Sequence, residues 1–151
     1  MTQSQVTPTE LLRERIQDDI DSSIVVKAAS ELPLYSSDVY AEGTPPALVI
    51  KPAEVQQVPS IVKIATSMGF AITQRGGGMS YTGWYLPTQA NTVMLDLSAL
   101  NRIISINEDD LVITVEAGVT WQQIWEALTP RGLRRSEEHT SELQSPCNLV
   151  C

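Results

Sequence analysis

At 151 residues the chain has the length of one domain. Its 18 acidic and 10 basic residues leave a formal charge of −8, which argues against a phosphate-backbone partner, because nucleic acid needs Lys and Arg to neutralise it. No apolar run approaches the ~20 residues of a membrane span, and no signal-peptide pattern opens the chain. The expectation is a soluble, cytoplasmic domain without a membrane span, and 42% hydrophobic content is enough for a real core.

Thr7-Pro8-Thr9-Glu10 opens a helix, with Thr7 as cap, Pro8 at the first helical position and Glu10 closing a capping box. Leu12, Ile16 and Ile20 follow at helical spacing. Ile24-Val25-Val26 is a second apolar patch, ahead of a Pro/Ser-rich loop around Leu32 to Ser37. Residues 1–44 thus read as a surface helix and connector. From Pro45 the pattern changes. Ala47-Leu48-Val49-Ile50 is a short continuous apolar run suited to a strand buried on both faces. Val55, Val58, Ile61, Val62, Ala65 and Met68 form a helical stripe closed by Gly69. Pro59 is tolerable only near the first turn, so this helix starts late or kinks. Phe70 to Gln74 is a second strand, which completes a β-α-β unit with parallel strands and a right-handed crossover.

Past Pro87 the period becomes two, with Val93, Leu95 and Leu97 alternating with Met94, Asp96 and Ser98. Ile103 to Ile106 and Leu111 to Val115 flank Asn107-Glu108-Asp109-Asp110, as in an antiparallel hairpin. A last helix begins at Thr120, with Gln123 in its capping box, a stripe of Trp121, Ile124, Trp125 and Leu128, and Pro130 and Gly132 at its end.

Residues 135–151, RSEEHTSELQSPCNLVC, resemble the translation of a short-read sequencing adapter, in frame on both sides of its index. They hold His139, Cys147 and Cys151, the chain's one histidine and two cysteines. A zinc site needs paired spacings and usually four ligands, so no metal site is expected here. Without this tail the charge is −6, and residues 1–134 contain no Cys or His. Serine-histidine and cysteine-histidine hydrolase chemistry therefore has no base in that stretch.

The β-α-β unit ends in Arg75-Gly76-Gly77-Gly78-Met79-Ser80-Tyr81-Thr82-Gly83. Three successive glycines after a strand allow backbone to approach a ligand closely, and free N–H groups in tight turns form a nest for anions. Such loops lie at the carboxyl ends of parallel strands, where α/β folds bind ligands. Arg75 can add charge or form a structural pair, and Ser80 and Thr82 can donate hydroxyl hydrogen bonds. The loop is not a P-loop, because it reads Gly-Met-Ser where that motif has Gly-Lys-Ser/Thr, nor a G-x-G-x-x-G fingerprint, because Tyr81 occupies the sixth position. Glycines alone leave phosphate binding and a structural turn both open.

The stretch from Pro46 to Leu133 resembles the N-terminal half of the FAD-binding domain of the vanillyl-alcohol oxidase and p-cresol methylhydroxylase (PCMH-type) flavoproteins. The residues that carry the resemblance are Pro46 to Pro52, Glu54-Val55, the loop Arg75 to Gly83, Val93 to Ser98, Leu100 to Ile103 and Val115 to Val119. It implies an α+β fold of FAD-binding type 2: a small parallel β-α-β subdomain, then the start of an antiparallel-sheet subdomain, truncated. The division is 1–44 for the N-terminal helix and connector, 45–134 for the partial FAD-binding domain and 135–151 for the tail. The loop from Gly76 to Ser80 would wrap the FAD pyrophosphate with main-chain N–H groups, and Tyr81 to Gly83 would continue along the cofactor. Many family members carry His at the place of Met79, where it can bond covalently to flavin; Met79 cannot, so noncovalent FAD is implied. The implied parent is an FAD-linked oxidase or dehydrogenase of a small organic substrate, such as a 2-hydroxy acid or alcohol, with an unidentified electron acceptor. Its catalytic residues lie outside this chain, and the chain as given is expected to bind FAD weakly or not at all. The alternative is a non-enzymatic nucleotide- or phosphate-binding module.

Other chemistry-bearing residues have plainer readings. Asp96 and Glu116 read as solvent-facing or locally hydrogen-bonded strand positions rather than an acid/base pair. Trp121 and Trp125, four apart on an amphipathic helix, read as core packing rather than flavin stacking. Asp109-Asp110 reads as a solvated turn.

Overall fold

The computed structural model of the chain describes residues 6–21, 24–27, 29–78, 80 and 82–134. These fall into two compact units that divide after Leu100.

In the first unit, helix α1 (Pro8–Asp19) begins on Thr7, whose hydroxyl accepts from the Glu10 amide while the Glu10 carboxylate accepts from the Thr7 amide at 2.7 Å. This is the expected capping box. Strand β2 (Leu48–Lys51) leads through helix α2 (Gln57–Ser67) to strand β3 (Ala71–Arg75). Pro59 sits in the first turn of α2, as a late start requires. Gly69 ends the connection in the left-handed region, with φ 81°.

The sheet order is β1-β2-β4-β3, with β1 at Val25–Val26 and β4 at Thr92–Asp96. The two strands of the β-α-β unit are therefore not neighbours: β4 runs between them, parallel to both. Although the pattern of 93–98 alternates, all five residues of β4 are buried, because a central strand is covered on both faces. Leu48, Ile50, Val93 and Leu95 face one core with α1 and α2; Val49 and Met94 face a second core with Tyr85.

The N-terminal segment is built into both layers. Leu12 and Ile16 of α1 are fully buried in the first core, so the helix is a surface element by its polar face alone. The Ile24 to Val26 patch, read only as apolar, contributes β1, antiparallel to β2. The expected loop around Leu32 to Ser37 begins within a 3₁₀ segment, Ala29–Tyr35, and Leu32 and Tyr35 pack on the second core.

The second unit begins at Asn101. Strands β5 (Ile103–Asn107) and β6 (Val112–Val115) form the expected antiparallel hairpin. The Asn107 side chain shapes its turn, its carbonyl accepting from the amides of Asp109 and Asp110 at 3.1 and 3.0 Å. Helix α3 (Trp121–Leu128) starts on Thr120 with Gln123 in a capping box, as its sequence requires. Ile124 and Leu128 are buried, but Trp121 and Trp125 are about half exposed, 47% and 53%. The core role read for these tryptophans is not what the structure shows: the stripe of α3 is wider than the surface that covers it.

Candidate functional site

The three parallel strands end in charged residues: Lys51 on β2, Asp96 on β4 and Arg75 on β3, with Arg75 and Asp96 in register. The glycine loop leaves the sheet at this carboxyl end. Gly78 has φ 77° and Gly83 φ 65°, backbone that side chains rarely adopt. A Cβ on Gly78 would overlap the Arg75 guanidinium, whereas one on Gly77 would meet nothing within 4 Å. The open side of the turn is thus at Gly77 and its filled side at Gly78.

What fills it is Arg75. Its guanidinium lies 5.0 Å from the centre of the Tyr35 ring and 5.5 Å from that of Tyr85. The two options read for Arg75, added charge or structural pair, resolve into a cation held by two aromatic faces. The Tyr85 hydroxyl shares its one proton between the carbonyls of Gly78 at 3.0 Å and Ser37 at 3.2 Å. The Thr73 hydroxyl donates to the Tyr85 carbonyl at 2.9 Å. The Tyr35 hydroxyl donates to Asp96 Oδ2 at 3.1 Å, and Asp96 Oδ1 accepts from the Ser98 amide at 3.0 Å.

Asp96 is buried, 7% exposed, and so is not a solvent-facing strand position; its local hydrogen bonds are as read. Burial pushes its carboxyl up, but the Ser98 hydroxyl and amide, the Tyr35 hydroxyl and the Lys51 charge together hold it below the ordinary carboxylate range. Burial likewise raises both tyrosine hydroxyls above their usual range, so they stay neutral donors at pH 7. Glu116 belongs to the second unit, where the Arg102 side chain and amide hold its carboxylate below its ordinary range. Both carboxylates are committed to local partners, which leaves no acid/base pair.

Of the nine loop residues, Arg75, Gly76, Gly77, Gly78, Ser80, Thr82 and Gly83 are described; Met79 and Tyr81 lie outside the described residues. Ser80 and Thr82 share a hydroxyl–hydroxyl hydrogen bond of 3.1 Å, and the Thr82 amide donates to Ser80 Oγ at 3.2 Å. His139, Cys147 and Cys151 also lie outside the described residues. Among the described residues no cluster of His, Cys, Asp or Glu could hold a metal, and no helix is long and apolar enough to cross a membrane. Sequence reasoning missed Tyr35 altogether. It sits 40 residues before Arg75, in a stretch read as connector, and no local pattern marks it.

The sequence profile of the FAD binding domain matches residues 46–141, more than half of the chain. The chain belongs to this FAD-binding domain family. The profile match ends within residues 135–151, past the described residues. The mitochondrial D-lactate dehydrogenase [cytochrome] of Kluyveromyces lactis is 31% identical over 127 residues, 81% of this chain and 22% of that protein. Glycolate oxidase subunit GlcD of Bacillus subtilis is 28% identical over 116 residues, 77% of this chain and 23% of that protein. Substrate-bound p-cresol methylhydroxylase has a similar fold, with TM-score 0.70 and 25% identity over 88% of this chain and 26% of that one. The FAD-binding domain described here thus spans about a fifth of the length of these curated relatives, and its fold is PCMH-like.

The residues at the carboxyl end of the sheet suit the anionic part of FAD. Gly77 leaves open space for close backbone approach, and Gly78 turns the chain so that successive amides can converge. Arg75 supplies a cation, which packs against the rings of Tyr35 and Tyr85.

Proposed function

We propose that residues 75–83 seat the diphosphate of FAD, and that the whole protein is an FAD-dependent oxidoreductase of a small 2-hydroxy acid or alcohol. The observation that carries the loop assignment is the turn directly after β3, open at Gly77 and left-handed at Gly78. In it Gly76, Gly77, Gly78 and Ser80 offer main-chain N–H groups, Arg75 offers charge, and Thr82 and Gly83 extend the surface along the cofactor. Met79 has no imidazole nitrogen to bond to flavin, which excludes a covalent link at that position and supports noncovalent FAD. The functional segment is 45–134, supported by the N-terminal helix and connector of 1–44.

When bound, FAD supplies two-electron acceptor chemistry. The chain's own contribution is binding and electrostatics: neutral amides and one guanidinium offset the diphosphate charge in a protein that is otherwise acidic, at −8. The substrate class is supported by likeness to a D-lactate dehydrogenase and a glycolate oxidase subunit; the electron acceptor is a separate partner.

The test has two arms. Titration of FAD, ADP and ATP against the whole protein stripped of its flavin reads the loop, and flavin preference is the expected result. Binding of ADP or ATP without flavin would favour a nucleotide module instead. Anaerobic addition of D-lactate or glycolate to the whole protein is expected to bleach its flavin absorbance; a purified whole protein that carries no FAD overturns the reading.

A further inference from the structure

We propose that Tyr35 and Tyr85 are positioning residues, which clamp the Arg75 guanidinium between their rings and so hold the glycine loop in the shape that receives the diphosphate. The proposal rests on the reading of 75–83 as the diphosphate loop and adds to it two residues outside that loop.

A run of three glycines is the most expensive kind of backbone to order, because each glycine has more conformations to lose than any other residue. A loop that binds well must recover that cost before the ligand arrives. Here the fixing contacts come from beneath. Thr73 anchors the Tyr85 carbonyl at 2.9 Å, and the Tyr85 hydroxyl reaches back to the Gly78 carbonyl at 3.0 Å. The excursion from residue 75 to residue 85 is therefore closed on itself. The same hydroxyl donates to the Ser37 carbonyl at 3.2 Å, which ties the loop to the N-terminal connector.

Arg75 fills the space under Gly78, and two rings hold it there, at 5.0 and 5.5 Å. Tyr35 is fixed in turn by Asp96 at 3.1 Å. Asp96 sits in register with Arg75 on the neighbouring strand, so the clamp is footed on the sheet itself. Aromatic faces suit this task. They attract the guanidinium through the ring quadrupole without taking up its N–H donors, which stay available to an anion. A carboxylate in the same place would neutralise the cation and occupy those donors.

The test has two readouts, heteronuclear NMR of the free 151-residue chain and FAD affinity of the whole protein, stripped of its flavin, by flavin fluorescence. In the free chain the Arg75 Nε–H signal is expected upfield, shifted by the two rings. Tyr35→Leu should return it to an ordinary position, broaden the Gly76 to Gly78 amide signals and raise the FAD Kd about fivefold. Tyr35→Phe keeps the face but loses the bond to Asp96, so it should keep the upfield Arg75 shift and raise the Kd less than Tyr35→Leu does. Tyr85→Phe removes the hydroxyl alone and should raise the Kd about fivefold while the Arg75 shift persists. An unshifted Arg75 signal in the parent chain overturns the clamp. So do glycine signals that stay sharp in both Tyr35→Leu and Tyr85→Phe, and should Tyr35→Leu not fold, Tyr85→Phe decides by the same two readouts. The loop reading fails separately: Gly77→Val would leave the whole protein's FAD affinity unchanged, or the whole protein would show none, while the NMR signals still decide whether the clamp exists.

Discussion

In the unit that ends at Leu100, the sheet is closed on both faces by the chain's own segments, and Leu12, Ile16, Val49, Ile61 and Met94 are fully buried. Among the described residues of the unit that begins at Asn101, the hairpin and the helix leave apolar side chains exposed. Ile104, Leu111 and Val112 are more than half exposed there, and the two tryptophans of α3 are about half exposed. A two-stranded hairpin is at best marginally stable by itself, so depth of burial, not apolar content, separates a unit that holds itself together from one that does not. Truncating a buried leucine should show this most strongly. Leu12→Ala is expected to destabilise the chain by about 2–5 kcal/mol, through lost burial and the cavity left behind. Trp125→Ala should cost less than about 1 kcal/mol. Urea unfolding followed by circular dichroism reads both; equal losses at the two sites would erase the distinction.

The two units also carry left-handed glycines in different surroundings. Gly78, φ 77°, backs onto Arg75, and Gly132, φ 69°, backs onto open space. Alanine at either position meets the left-handed penalty of about 1–2 kcal/mol. At Gly78 it must also displace the guanidinium, so Gly78→Ala should destabilise more than Gly132→Ala in the same urea experiment. Equal costs would mean that Arg75 is not held in place.

Much of the fold was legible because its signals are local. Thr7 and Thr120 announce their helices through capping boxes. The turn chemistry of Asn107 to Asp110 announces the hairpin. The apolar run at 47–50 announces a buried strand. The failures share one cause, which is that non-local pairing leaves no mark in spacing. The pattern of 93–98 alternates, yet its strand lies inside the sheet between β2 and β3, and only that position makes both faces dry. Val25 and Val26 are too few to show a period, and pairing with Lys51 and Ile50 makes them a strand. At the site, the glycine run is visible as sequence, but Tyr35 meets it through the Arg75 guanidinium, 40 positions on.

Helix capping sharpens the comparison at about 1 kcal/mol per cap. Thr7→Ala frays a helix whose Leu12 and Ile16 belong to the first core, so it should lower the midpoint of the main unfolding transition. Thr120→Ala frays a helix that carries Trp121 and Trp125 near its surface. It should shift tryptophan emission while leaving that midpoint nearly unmoved. A global loss from Thr120→Ala would show that the second unit supports the first.

Acid separates the units by the smallest margin. Asp96 in the first unit and Glu116 in the second are both held below their ordinary values of 3.8 and 4.5. Between the folded and the ordinary value the unfolded chain binds the proton and the folded chain does not. Each carboxylate therefore adds stability that is complete above its ordinary value and is lost as pH falls through the folded one. Asp96 is tied to Tyr35 and hence to both layers of the first unit, so Asp96→Asn should flatten the acid limb of the main urea transition. Among the described residues the Glu116 carboxylate holds Arg102, beside the hairpin, so Glu116→Gln should leave that limb in place and alter only the emission of the second unit's tryptophans. A main transition that keeps its acid limb in Asp96→Asn and loses it in Glu116→Gln would reverse the order of the two units, and with it the claim that the glycine loop stands on the more stable of the two.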